Sequence, residues 1–308
     1  MRVRLRDRLE YAVLRAALGF TNLVPDPVAY GFVSMLGRIY FRCSPRRQRY
    51  GLRLLRNAYP TGKSDGELLK LARVATGNVF KVSVDMVRAI PLVNKGRFME
   101  RVELGDQAKK FPESPFLLLT GHLGAWEMIA IATAQLNGES HAIARAFKNP
   151  LLQAYVRGNR EKVGYHVHPK RGGIRGLIRA MERGCVGIQA VDQNQRLRGV
   201  FVPFFGEVAS TERAAATLAL RKGYPMVVAS IIRIGGGFRF RFVADEPFHA
   251  KSTGNLNADV TATAAEINRR LERHILASPE QYLWIHDRYR RRPESELRDE
   301  RADPSPVL

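Results

Sequence analysis

From Phe116 onward, short apolar or β-branched runs alternate with stretches of helical period, and this alternation restricts the chain to very few architectures. "FLLLT" precedes "GAWEMIAIATAQL", "HAIARA" precedes "PLLQAYVRGNREKVG", and "YHVHP" precedes "GIRGLIRAMERG". "VGIQAVD" is followed, after a loop, by "ERAAATLALRKG" and then by "PMVVASIIR". Strands that are apolar throughout are buried on both faces, and helical crossovers between them make neighbouring strands parallel. "GGGFRFRFVADEP" differs: Phe238, Phe240 and Phe242 alternate with Arg239 and Arg241, the pattern of a half-exposed edge strand after a glycine turn. The predicted fold is therefore α/β, a mixed, largely parallel central sheet flanked by helices.

The N-terminal quarter reads as helical, with segments at about 5–20 and 28–42 and a longer helix from Ser64 to about Ile90. The stretch between them, "CSPRRQRYGLRLLRNAYP", reads as a basic turn. A last helix, about Ala258 to Leu276, precedes "YLWIHDRYRRRP". Three regions follow: a basic, amphipathic, membrane-associating helical segment over 1–60, an α/β domain over 61–293, and a polar tail over 294–308.

The net charge of +21 predicts an affinity for polyanions, which nucleic acid, anionic lipid or an acidic carrier protein would each satisfy. No zinc-finger, RNP-type or basic-zipper pattern supports nucleic acid, so it is kept only as the alternative from a different functional class. From Met1 to Arg56 there are twelve arginines, no lysine and three acids, interleaved with apolar residues. Leu5, Leu9, Ala12, Val13, Ala16 and Ala17 follow helical spacing with Arg4, Arg8 and Arg15 elsewhere on the wheel. A helix lying in a membrane interface and a helix packed on the core both fit. Pro25, Asp26 and Pro27 interrupt the best candidate span, and a secretory signal pattern is lacking, so neither a membrane span nor a signal is predicted. Cys43 and Cys185 stand far apart without a CxxC or Cys/His cluster, which supports neither a disulfide framework nor structural zinc.

In an open α/β sheet, reactive groups collect at the carboxyl ends of the strands. Four polar clusters fall there: Thr120–His122, Arg145–Asn149, His168–Arg171 and Asp192–Asn194. In the first, "LLLTGHLGAWE", His122 precedes Glu127 by five positions. With 7 histidines and 29 acids in 308 residues, chance alone yields roughly 0.7 such pairs, so spacing decides nothing. In one continuous helix the two would stand about 140° apart around the wheel. Gly121 and Gly124 let a strand turn into a helix between them, placing Glu127 in the first helical turn. In that geometry Glu127 accepts a hydrogen bond from one imidazole nitrogen and the other nitrogen takes a proton from an attacking hydroxyl. The chemistry implied is acyl transfer to a substrate hydroxyl with no covalent acyl-enzyme, since no protein nucleophile stands beside the pair. A histidine merely bonded to a loop is the other reading of the same residues.

Taken with "KNPLLQAYVRGNREKVG", "GIRGLIRAMERGCVGIQAVDQ", "GVFVPFFGEVASTERAAATLAL" and the closing "YLWIHDRYRRRP", this stretch resembles the bacterial lipid A biosynthesis acyltransferases, the late lauroyl/myristoyl transferases of the lysophospholipid acyltransferase superfamily. The likeness runs from about "LRNAYP" to the final block. It implies a glycerol-3-phosphate acyltransferase-like fold and an enzyme held peripherally or monotopically on the cytoplasmic face of the bacterial inner membrane. It also implies acyl carrier protein as donor, a lipid A precursor as acceptor, an anionic membrane surface as partner, and no cofactor. The family's His-x4-Asp/Glu motif falls on His122 and Glu127, its arginine and Asn-Pro block on Arg145, Asn149 and Pro150 with Arg160 downstream, and its Asp-Gln block on Asp192 and Gln193. A relative acylating another glycolipid or a lysophospholipid, from acyl-CoA, is the nearer alternative.

Four further features carry two readings each. "FVPFFG", Phe201 to Gly206, lines an acyl channel or packs core under a loop. His166 and His168 share a strand face, the minimum for a metal pair, yet no third ligand is evident in the sequence and no metal is predicted. "KRGGIRG", Lys170 to Gly176, is an anion-binding nest or an ordinary turn. "HDRYRRRP", His286 to Pro293, is a solvated face or a contact for headgroup or carrier.

Overall fold

The computed structural model describes residues 3–113 and 115–293; the expected tail over 294–308 lies outside them. Four helices come first: α1 (Leu5–Leu23), α2 (Asp26–Arg42), α3 (Pro45–Ala58) and α4 (Asp65–Asn94). Pro27 and Pro45 sit in the first turns of α2 and α3, where a missing N–H leaves no helical bond unmade. Ser64 and Glu67 cap α4 reciprocally, each side chain bonding the other's backbone N–H.

The stretch read as a basic turn is the helix α3. Gly51, Leu54 and Leu55 form its buried stripe, while Arg46, Arg49, Arg53 and Arg56 cover the outer face. The density of arginine hid a three-residue apolar stripe that the helical period would otherwise have shown.

The remaining elements are β1 (Val102–Leu104), β2 (Leu117–Thr120), α5 (Trp126–Asn137), β3 (Ser140–Ala144), α6 (Pro150–Glu161), β4 (Tyr165–Pro169) and α7 (Gly173–Glu182). They continue with β5 (Val186–Ala190), β6 (Val200–Phe204), β7 (Glu207–Thr211), α8 (Ala214–Lys222), β8 (Met226–Arg233), β9 (Phe240–Ala244) and α9 (Leu256–Ala277). Seven strands form one sheet in the order β1-β9-β8-β2-β5-β3-β4. The five from β8 to β4 are mutually parallel, β9 is antiparallel to β8, and β1 runs parallel to β9. The sheet is thus mixed and largely parallel, with helices on both faces, as the alternation predicts.

Two further elements differ from expectation. The Phe/Arg strand β9 is not an edge, because β1, too short to register as a strand in sequence, pairs along its outer side. Glu103 of β1 then neutralises the outward-facing Arg239 and Arg241, at 2.9 and 3.1 Å. The "FVPFFG" segment belongs to a separate antiparallel hairpin, β6–β7, rather than a loop. Phe204 and Phe205 are buried there, Phe205 lying 5.7 Å from Trp284, so core packing accounts for both rings.

Alternate residues of β2 feed two hydrophobic layers. Leu118 packs with Met128, Ile129, Val227 and Phe240 on one face, and Leu117 and Leu119 with Leu177, Val228 and Leu271 on the other. The N-terminal helices join both layers: Tyr30 and Val33 of α2 enter the first, Leu54 and Leu55 of α3 the second. A buried carboxylate, Asp85 of α4, accepts bonds from Tyr30 Oη (2.6 Å) and Arg233 Nε (2.8 Å), tying α2 and α4 to the end of β8. Because Leu55 is fully buried, Leu55→Ala should lower unfolding free energy by roughly 2–5 kcal/mol in urea titrations. A loss well under 1 kcal/mol would mean that α3 is peripheral to the core.

Candidate active site

At the carboxyl end of β2 the chain turns through residues 121–125 before α5 begins. Gly124 adopts φ 63°, and a Cβ there would stand 2.1 Å from the Ile231 carbonyl oxygen, so no other residue fits without moving β8. Backbone bonds lace the turn to its neighbours: Gly124 N–H to Gln281 O (3.0 Å), Ala125 N–H to Ile231 O (2.8 Å), and Leu283 N–H to His122 O (3.1 Å). Part of the closing "YLWIHDRYRRRP" block is therefore a strap that holds the His122 turn. Farther along, Arg288 is buried on Ser210 O and Thr211 Oγ1 and Tyr289 bonds Phe204 O, which leaves Arg290 as an exposed cation of that run.

His122 is held on its inner side by Asp192, which follows β5. Nδ1 lies 2.8 Å from Asp192 Oδ1, and the His122 backbone N–H donates to Oδ2 at 2.8 Å. The pairing follows from sheet register: Thr120 of β2 stands beside Ala190 of β5, so the two strands deliver both residues to the same place. Gly121 allows the close approach, since a Cβ there would meet Asp192 Cγ at 3.3 Å and Leu271 at 3.1 Å. Asp192 is only 2% exposed, and its carboxylate lies near enough to the buried Tyr282 to push that phenol's pKa up, behind the larger effect of burial. The carboxylate fixes the proton on Nδ1, leaving the Nε2 lone pair outward, 3.2 Å from the Gln193 amide nitrogen.

The partner expected for the imidazole, Glu127, is not the one found. Glu127 lies on the first turn of α5 and pairs with Arg160 of α6 at 2.7 Å. The glycine turn does bring it near enough for its charge to act on His122, but the hydrogen bond goes to Asp192. Adjacency of β2 and β5 decides this, and no local spacing encodes it.

Burial disfavours the charged forms of both groups, yet mutual attraction prevails. Desolvation lowers the affinity of His122 for a proton, but the charge and hydrogen bonds of Asp192, aided by Glu127, raise its pKa above the ordinary value. Asp192, although burial pushes it up, is brought down to about 2 by the charge of His122 and by its side-chain and backbone hydrogen bonds.

The four expected clusters meet only in part. Thr120–His122 and Asp192–Asn194 come together, and Asn194 N–H donates to His286 Nε2 at 3.0 Å. Arg145 is exposed beyond β3. Asn149 is buried as the N-cap of α6, its oxygen accepting from Leu151 and Leu152 N–H and its amide donating to Asp7 O and Glu10 Oε2 of α1. His168 points instead toward α7, against Gly173 and Gly176 of the "KRGGIRG" turn. Tyr282, buried where it bridges to Leu123 beside the His122 turn, was not singled out from sequence; only its place in the closing block hinted at it. A second His/acid relay, Ser230–His274–Asp245 (3.1 and 3.0 Å), resembles a nucleophile triad, but Ser230 is buried inside β8.

Glu127 and Arg160 also line a cavity of about 310 Å³ whose other walls are mostly apolar, among them Met86, Met128, Ile131, Leu152 and Val156. Leu14 of α1 contributes to the wall, and α1 is fastened beside it by the Tyr11–Tyr155 edge contact and by Arg15 over Tyr155.

Over 143 residues the chain is 29% identical to the lipid A biosynthesis palmitoleoyltransferase of Escherichia coli (strain K12), covering 46% of this chain and 43% of that one. Over 126 residues it is 33% identical to the lipid A biosynthesis lauroyltransferase of the same strain, covering 40% of each. These matches span less than half the length of either relative. Among solved structures, the 1-acyl-sn-glycerophosphate (LPA) acyltransferase PlsC of Thermotoga maritima aligns with a TM-score of 0.38 at 13% identity, covering 79% of this chain and 97% of that one, too remote a likeness to position any residue. The family match itself extends over residues 4–291, and the chain belongs to the bacterial lipid A biosynthesis acyltransferases.

Proposed function

We propose that the protein transfers a fatty acyl chain from an acyl-carrier-protein thioester to a hydroxyl of a lipid A precursor, with His122 Nε2 as general base. The carrying observation is the arrangement around that imidazole: Nδ1 is bonded to a buried carboxylate and Nε2 faces outward. Asp192 orients the ring and stabilises the imidazolium formed as the acceptor hydroxyl loses its proton to Nε2. The oxygen then attacks the thioester carbonyl and the thiolate of the donor departs. The Nε2 partner is an amide, Gln193, rather than a hydroxyl or thiol, which supports direct transfer over a covalent acyl-enzyme. Gln193 yields its place to the acceptor hydroxyl.

Glu127 and Arg160 stand at the polar lining of the 310 Å³ cavity, and the cavity is the site proposed for the acyl chain. Its size falls within the range of ligand pockets, roughly 300–1,000 Å³, and its lining is what a hydrocarbon requires. The Arg160 guanidinium lines the cavity beside Glu127 and is proposed to face the thioester end of the ligand.

Attachment to the anionic cytoplasmic face of the inner membrane is proposed to run through α1 and α2. Leu5, Leu9, Val13, Phe20 and Leu23 of α1 are exposed, Leu23 by 83%, and Phe32, Met35 and Ile39 extend the apolar surface on α2. Exposed arginines, including Arg4, Arg8 and Arg15, accompany them. This is the make-up of a helix lying in the headgroup region. No helix among the described residues is long and apolar enough to cross a membrane.

Purified protein given acyl carrier protein loaded with a fatty acid and a lipid A precursor should yield a product heavier by one acyl group. His122→Ala should reduce transfer by about 10²–10⁴-fold with the fold retained, because the backbone N–H of residue 122 still holds Asp192. Near-normal transfer in His122→Ala, or transfer from acyl-CoA to a lysophospholipid alone, would overturn the proposal. Narrowing the cavity with Val156→Phe should shift donor preference toward shorter chains, read from competition between donors of different length. An unchanged preference would place the acyl chain elsewhere.

A further inference from the structure

At the opposite end of the sheet from His122, the amino ends of β3, β4 and β5 carry a group of side chains that acyl transfer does not use. His141 of β3 stands beside His166 of β4 and beside Gly187 of β5 in the strand register. Side chains two apart on a strand share a face. His141, His166 and His168 therefore project from one face of β3 and β4, and Glu139 and Cys185 stand immediately before β3 and β5.

Their polar atoms converge. Glu139 Oε2 lies 3.3 Å from His141 Nε2 and 3.7 Å from Cys185 Sγ, and Glu139 Oε1 lies 3.7 Å from His166 Nε2. The ligand atoms of Glu139, His141 and Cys185 all fall within 4.8 Å of one another. The His141 and His166 rings stack at 4.7 Å with an interplanar angle of 18°. Zinc bonds of about 2.0–2.3 Å in a tetrahedron set neighbouring ligand atoms roughly 3.3–3.7 Å apart. The three contacts to Glu139 fall in that range, while the Glu139, His141 and Cys185 group as a whole spans up to 4.8 Å and His166 stands beside it against Glu139 Oε1.

The surroundings of His141 suit a metal ligand as well. Its other nitrogen, Nδ1, lies 3.1 Å from His168 Nε2, an outer partner that fixes the ring and directs Nε2 toward Glu139 and Cys185. Gly176 makes room for that partner, since a Cβ there would come within 2.5 Å of His168 Nδ1. We propose that Glu139, His141, His166 and Cys185 bind one Zn²⁺, which clips the edge strand β4 and its neighbour β3 to β5. Two imidazoles, a thiolate and a carboxylate favour zinc over magnesium or calcium, which take oxygen donors. The sequence-based expectation of no metal rested on the lack of a third ligand near His166. Strand register supplies the others, from Glu139 and His141 upstream and from Cys185 downstream.

The test uses the full chain without a histidine tag, stripped with chelator and titrated with Co²⁺ as a spectroscopic probe, then with Zn²⁺. The proposal expects one equivalent of Co²⁺ bound with a tetrahedral visible spectrum and a thiolate-to-cobalt charge-transfer band, both displaced by Zn²⁺. Cys185→Ser should lose the charge-transfer band, and His166→Gln, at the sheet edge, should weaken Co²⁺ binding by at least about tenfold. Saturating Zn²⁺ should raise the Tm of the unaltered chain by about 5 °C and that of His166→Gln by much less. Substoichiometric binding, a spectrum without thiolate character, or equal binding and Tm in the variants would overturn the proposal.

Discussion

The site depends on the contact between Asp192 and His122. A carboxylate only 2% exposed is tolerable when its oxygens are paired, and here the imidazole takes one and the backbone N–H of residue 122 the other. Much of the nearby structure serves that contact. Gly121 removes the side chain that would separate the two residues, Gly124 turns the chain where a Cβ would strike β8, and the segment around Tyr282 straps the turn from outside. The pair also sets opposing demands. Because the folded pKa of His122 is raised, its contribution to stability is complete below about pH 6.5, the ordinary histidine value, and is lost as pH rises through the raised pKa. Because Asp192 is depressed to about 2, its contribution is present above the ordinary value of about 3.9 and is lost only as pH falls toward 2. A general base must be neutral, so the proposed working form is the one in which the imidazolium–carboxylate attraction has been relinquished.

Beside this pair, Glu127 and Arg160 belong to a different part of the proposed chemistry. Their ion pair bridges α5 and α6 and lines the apolar cavity, whose wall also includes Leu14 of α1. The N-terminal helix thus has one surface against the proposed acyl site and another, rich in exposed leucine, valine and phenylalanine, turned outward. A lipid acceptor drawn from a membrane would meet α1 beside the proposed acyl site, which couples the proposed membrane contact to the proposed chemistry.

The architecture was legible in sequence wherever apolar periodicity was strong: the alternation after Phe116 returned the parallel strands and their crossover helices. It was not legible where charge covered the stripe, as in α3, or where an element was as short as β1. For the site, the glycines around His122 correctly announced a strand-to-helix turn. The identity of the imidazole's partner did not follow, because Asp192 reaches His122 through the β2–β5 register across 70 residues of chain. The same limitation hid the surroundings of His166: β3 brings His141 and Glu139 to it, the chain before β5 brings Cys185 to Glu139, and no local spacing marks them. Asn149 and Gly176 show the converse, residues that looked like binding elements in sequence and whose observed contacts are a helix cap and space for a ring.

The division of labour between the two acids is tested most directly by the pH dependence of kcat/KM in Asp192→Asn and Glu127→Gln, measured beside the unaltered protein. With Asp192 orienting the base, the unaltered enzyme loses activity below an apparent pKa above 6.5, the value raised by that carboxylate. Asp192→Asn should lower kcat by a factor on the order of 10³–10⁴ and move the acid limb to lower pH. Glu127→Gln should leave that limb within a few tenths of a unit and act mainly on KM for the acyl donor. The opposite result, an acid limb that shifts in Glu127→Gln and stays in place in a fully active Asp192→Asn, would contradict the account and return the imidazole to Glu127.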